Sequence, residues 1–105
     1  MKMVRAIVRP ESTENVVEGL AASGFVALTK IQAFGRGKQK GLDSGSVHYD
    51  ELPKNLLMMV VEDEHVDQVL QLVQSYANTG NFGDGKVFVS PVERVLTIRT
   101  GQEGI

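Results

Sequence analysis

The chain is 105 residues long, carries a formal net charge of −2 and contains no cysteine. That length suits one domain with an ordinary core. The missing cysteines exclude disulfides and thiolate zinc sites, and the slight acidity speaks against nucleic acid as a main partner. No apolar run approaches the ~20 residues of a membrane span, so no membrane insertion is expected. A strand pattern starts at the N-terminus and leaves no room for a signal peptide, which points to the cytoplasm.

Met3 to Arg9 alternates as a mostly buried strand, with Arg5 and Arg9 at polar positions, and Pro10 stops it. Ser12 or Thr13 is expected to cap a helix in which Val16, Val17, Leu20 and Ala21 fall at helical spacing, closed by Ser23-Gly24. Phe25 to Phe34 reads as a second strand. From Gly35 to Asp50 the hydrophobic period disappears, and loops of this length in a compact domain are usually functional or disordered. Leu56 to Val61 is a continuous apolar run, suited to a central strand buried on both faces. Asp63 is expected to cap a second helix whose apolar stripe is Val66, Val69, Leu70, Val73 and Ala77. A glycine-rich loop, a strand at Val87–Val89, a short pattern at Val95–Arg99 and a loose tail over 100–105 complete the chain.

The order βαβ–βαβ predicts a single α+β domain over 1–105: a ferredoxin-like βαββαβ sandwich, one antiparallel sheet with two helices on one face. The other face would stay uncovered in a monomer, and a homo-oligomer is the simplest cover.

Thr79-Gly80-Asn81-Phe82-Gly83-Asp84-Gly85-Lys86 is the most informative stretch. It runs G-x-x-x-x-G-K like the start of a P-loop, but Val87 replaces the magnesium-binding hydroxyl. It also joins helix to strand, the reverse of a P-loop. Its glycines can turn backbone N–H groups toward an anion, with Lys86 supplying charge; the plainer reading is a flexible turn with an incidental lysine. Gly35-Arg36-Gly37-Lys38-Gln39-Lys40-Gly41 interleaves cations with glycines and favours wrapping one anion over a merely solvated loop. Glu62-Asp63-Glu64 reads better as an acidic first helical turn than as paired catalytic carboxylates. His48 and His65 are lone histidines with little support as metal ligands. Ser44 and Ser46 lack a hydrolase context.

These residues together resemble the nitrogen-regulatory PII proteins. The resemblance rests on Thr79-Gly80-x-x-Gly83-Asp84-Gly85-Lys86-Val87-Phe88-Val89 followed by Ile98-Arg99-Thr100-Gly101, with Arg9-Pro10 and Leu52-Pro53-Lys54 in support, and it covers nearly the whole chain. It implies a homotrimer, a regulator rather than an enzyme, with a long T-loop at about 35–52 between strands 2 and 3. Its effectors would be ATP or ADP in clefts between subunits and, with Mg-ATP bound, 2-oxoglutarate. By that resemblance Gly83, Gly85, Lys86 and Arg99 would hold the phosphates. Gly35, Gly37 and Lys38 would close over the nucleotide, and Thr29 and Val60 would contact the adenine. Gln39 would approach Mg2+ and 2-oxoglutarate, and Lys54 would pair with a carboxylate of that acid. The chain departs from the family pattern at Thr97, where a second arginine is common, and at Met58, where an acid is frequent.

The shorter T-loop and the run from His48 to Lys54 are similar to the nitrogenase-associated PII branch. That likeness implies direct binding and inhibition of nitrogenase when ammonium is plentiful, in a homotrimer or a mixed oligomer with a second PII-like paralogue. The alternatives are a general PII regulator of an ammonium transporter or nitrogen-assimilation enzyme, and a small enzyme using Lys86 with Glu62–Glu64. Tyr49, Ser44 and Ser46 are open candidates for modification.

Overall fold

The structure is a computed structural model that describes residues 1–36, 42–44, 47–49 and 51–105. Strand β1 (Lys2–Val8) leads into helix α1 (Pro10–Ala22), then strand β2 (Thr29–Gly35). Two three-residue strands, β3 (Leu42–Ser44) and β4 (Val47–Tyr49), pair antiparallel, and strand β5 (Leu52–Val61) follows. A 3-10 turn at Asp63–His65, helix α2 (Val66–Ala77) and strand β6 (Gly85–Pro91) complete the elements. The main sheet has the order β2-β5-β1-β6 and every neighbouring pair is antiparallel. This is the expected ferredoxin-like α+β arrangement, with a small hairpin between the second and third sheet strands.

The alternation of β1 sorts its side chains. Val4, Ala6 and Val8 are buried under the helices with Leu57, Met59 and Val61 of β5. Val16 and Leu20 of α1 and Val69, Val73 and Ala77 of α2 close this core; Val66 packs against it as expected, and Leu72 does so in place of Leu70. The opposite, open face follows from the same register. One row across it is Thr29, Met58, Arg5 and Phe88, and the next is Ile31, Leu56, Ile7 and Lys86. Ile31 and Phe88 remain exposed there.

Several local expectations change. Neither Ser12 nor Thr13 caps α1; Arg9 is the N-cap residue and Pro10 takes the first turn, where a missing N–H costs nothing. Thr13 Oγ1 donates instead to the Arg9 carbonyl (3.0 Å) and accepts from Asn55 Nδ2 (2.7 Å), tying the helix start to β5. The helix ends as expected: Gly24 (φ 95°) donates to Ala21 and Phe25 to Leu20, a Schellman closure that fixes Phe25 against the core and delays β2 to Thr29. Asp63 makes no cap bond for α2; its carboxylate accepts from the Met1 amino group (3.0 Å), which holds its pKa below the ordinary value. Strand β5 starts at Leu52 rather than after Pro53. Proline is tolerated there because β1 pairs no further than Asn55, leaving one edge of β5 open. Val95–Arg99 is no strand: Leu96 bridges Glu103, and Gly104 donates to the Val95 carbonyl, so residues 100–105 fold back on the segment before them.

Candidate functional site

A cavity of about 500 Å³ opens at the end of the sheet that holds the last residue of β2 and the first of β6. Gly35 and Arg36 line one side and Asn81 to Lys86 the other, with Lys54, Leu52, Ile7 and Phe88 between them. The two glycine-bearing segments, about 45 residues apart in the chain, therefore share one site. The sheet register brings them together: Gly35 pairs with Leu52, and Gly85 with Val8.

The loop after α2 is held from behind by one carboxylate. Asp84 Oδ2 accepts the backbone N–H of Thr79 (2.7 Å) and of Gly80 (3.0 Å); Oδ1 accepts the Thr79 hydroxyl and Arg9 Nε (3.1 Å). The Thr79 hydroxyl and N–H above all, with Arg9 and Gly80, hold the Asp84 carboxyl far below the usual carboxylate range. Arg9 also donates through Nη2 to the Phe82 carbonyl (2.6 Å). Gly83 lies directly over that guanidinium, 3.2 Å from Nη2 for an added Cβ. Gly85, at φ 112°, presses against the Ile7 carbonyl so closely that any Cβ would collide with it. Gly85 thus serves a close approach that a side chain would block, and Gly83 a tight one with a positive φ.

Lys54 is 8% exposed, on the open face of β5 and roofed by this loop. Its Nζ donates to the Gly83 carbonyl (2.5 Å). Burial and the neighbouring Arg9 lower its pKa, so its ammonium is the charge in the site most in need of an anion. Lys86 stands at the cavity rim with its side chain exposed. Lys54, Arg36 and Lys86 with the N–H groups of a glycine turn suit a polyanion. Among the described residues no group of three His, Cys, Asp or Glu could hold a metal ion.

Of the residues proposed from the sequence, Gly35, Lys54, Gly83, Gly85 and Lys86 meet in this cavity. Gly37, Lys38 and Gln39 lie outside the described residues, as does Ser46; Ser44 and Tyr49 fall in β3 and β4. Thr29 and Val60 do not join the cavity. They sit on the open face at the other end of the sheet, six residues of β2 from Gly35, or about 20 Å. Arg99 is exposed in the segment after β6, which leaves the sheet beside Lys2 at that same far end. Glu62–Glu64 follow β5 there too, remote from Lys86 of the same chain. Sequence reading missed Arg9 and Asp84 as site residues. Asp84 stood in the glycine motif, but nothing local linked it to an arginine 75 positions earlier.

The sandwich, its glycine loop and the cation-lined cavity define a small α+β domain of the ferredoxin-like class. The profile described as "Nitrogen regulatory protein P-II" matches residues 1–102, and the chain belongs to that family. It is 58% identical, over the full length of both chains, to "Nitrogen fixation nifHD2 region GlnB-like protein 1" of Methanosarcina barkeri. It is 55% identical, again over both full lengths, to "Nitrogen fixation nifHD region glnB-like protein 1" of Methanococcus maripaludis. Identity to "Nitrogen regulatory protein P-II 2" of Methanothermobacter thermautotrophicus is 42%, covering 99% of this chain and 94% of that one. No helix among the described residues is long and apolar enough to cross a membrane.

Proposed function

We propose that this protein is a cytoplasmic PII-type sensor of ATP or ADP and 2-oxoglutarate that controls nitrogen fixation by binding and inhibiting nitrogenase when ammonium is plentiful. The observation that carries the reading is the convergence of Gly35, Gly83, Gly85, Lys86 and Lys54 on one cavity. The loop N–H groups and Lys86 would take the phosphates. Lys54, a separate buried cation, would take a carboxylate of the dicarboxylate. Magnesium would be held mainly by phosphate and dicarboxylate oxygens near Gln39, and it would supply charge neutralisation between the two anions.

The placement of Thr29, Val60 and Arg99 favours a site shared between chains. One nucleotide cannot touch the cavity and, in the same chain, the opposite end of the sheet about 20 Å away. A neighbouring copy, in a homotrimer or in a mixed oligomer with a paralogue, would bring its far end to this cavity. It would also cover the open face. Ligand occupancy would then act on a partner only through its differential affinity for the loop states it selects.

Calorimetric titration with ATP, then with 2-oxoglutarate with and without Mg-ATP, is expected to show nucleotide binding and Mg-ATP-dependent dicarboxylate binding. A folded oligomer that binds no nucleotide would sink the proposal. The names of the relatives place those proteins with nitrogen-fixation regions, which favours nitrogenase over an ammonium transporter as target. Recovery of a membrane transporter and no nitrogenase component in a pull-down would reverse that order.

A further inference from the structure

Asp84 and Arg9 form a pair that the ligand assignments leave without a role. The carboxylate consumes the N–H groups of Thr79 and Gly80 and the Thr79 hydroxyl. Neither Thr79 nor Gly80 lines the cavity, whereas Asn81 to Lys86 all do. The donors taken by Asp84 are therefore those at the rear of the loop. Arg9 is likewise engaged by protein, with Nε on Asp84 and Nη2 on the Phe82 carbonyl, and it forms the floor under Gly83.

We propose that Asp84 and Arg9 are positioning residues for the phosphate-binding face of this loop: the carboxylate acts as an internal anion that fills the rear donors, and the guanidinium anchors the front strand of the loop so that its remaining N–H groups face the cavity. The inference rests on the nucleotide reading above and adds a pair whose hydrogen bonds go to protein groups. The opposite role is physically available, because a carboxylate so close to an anion site could compete with phosphate. The geometry argues against it, since Asp84 holds donors that do not reach the cavity.

Asp84→Asn tests this with almost no change in shape. An amide offers one acceptor where the carboxylate offers two, so either Thr79 and Gly80 or Arg9 must face an N–H group. In the full-length protein, ATP affinity is expected to fall about tenfold or more. Adenosine affinity should stay unchanged, because the base would be held elsewhere. Amide exchange at Thr79 and Gly80 is expected to quicken in the unliganded variant. Arg9→Lys keeps the charge but loses the fork, and should fall between the wild type and Asp84→Asn. Equal losses for ATP and adenosine would mark a general structural defect and overturn the inference. So would tighter ATP binding by Asp84→Asn, which would identify a competing anion, or an unaltered Arg9→Lys. If Asp84→Asn does not fold, Thr79→Ala, which removes one hydroxyl bond, takes its place with a smaller loss expected on ATP alone. Wild-type protein that binds no ATP defeats the nucleotide reading first, and this inference with it.

Discussion

Lys54 is the residue whose chemistry is most exposed to test. Its pKa lies below the ordinary 10.5 because burial and Arg9 disfavour the ammonium. Between that lowered value and 10.5 the folded chain has released a proton that the unfolded chain retains, so stability rises with pH across that window. A carboxylate ligand beside Lys54 favours the ammonium again, so in that window binding is expected to take up a proton. Titration of 2-oxoglutarate with Mg-ATP in two buffers of different ionisation enthalpy measures this. Identical heats at every pH would remove Lys54 from the dicarboxylate site. Gly85 makes a second prediction at this scale. Gly85→Ala puts a Cβ into the Ile7 carbonyl at a φ of 112°. It is expected to cost on the order of 3 kcal/mol in denaturant unfolding, because strain and overpacking combine.

Among the elements, the two helices meet through a glycine. Gly19 of α1 is buried, and a Cβ there would enter the ring of Tyr76 on α2. Gly19→Ala is expected to destabilise. Overpacking costs about 1–3 kcal/mol, while the better helix propensity returns about 1 kcal/mol. In a Tyr76→Ala background the same substitution should become stabilising, and thermal unfolding of the four proteins reads the change of sign. The elements were also the most legible part of the sequence. The stripe of α2 and the alternation of β1 are local, and a period records them directly. Caps were less legible, because the acceptors and donors that decide them are distant: Thr13 is drawn off by Asn55, and Asp63 by the amino terminus. The candidate site was legible where glycine and lysine crowd together. The clamp of Arg9 on Asp84 was not, since it exists only after β6 has paired with β1.

For the whole molecule, the open face is the surface that the proposed oligomer would cover. Ile31 is 44% and Phe88 50% exposed in the single chain. Ile31→Asp, placed beside Leu56, is expected to convert the proposed oligomer to monomers in sedimentation while helical circular dichroism is kept. Unchanged sedimentation would show that another surface makes the contact.

The roughly 20 Å between Thr29 and Gly35 along β2 has a genetic consequence. A chain carrying Lys86→Ala would be defective only in the half-site it offers one neighbour. A chain carrying substitutions at Thr29 and Val60 would be defective only in the half it offers the other. Each alone should assemble into oligomers that bind nothing. Co-assembled at equal amounts, they should recover about a quarter of the binding stoichiometry, since random mixing pairs the two sound halves about that often in a closed ring. Two alleles that each fail would complement one another, and a heterozygous cell would keep a response that neither allele supports by itself.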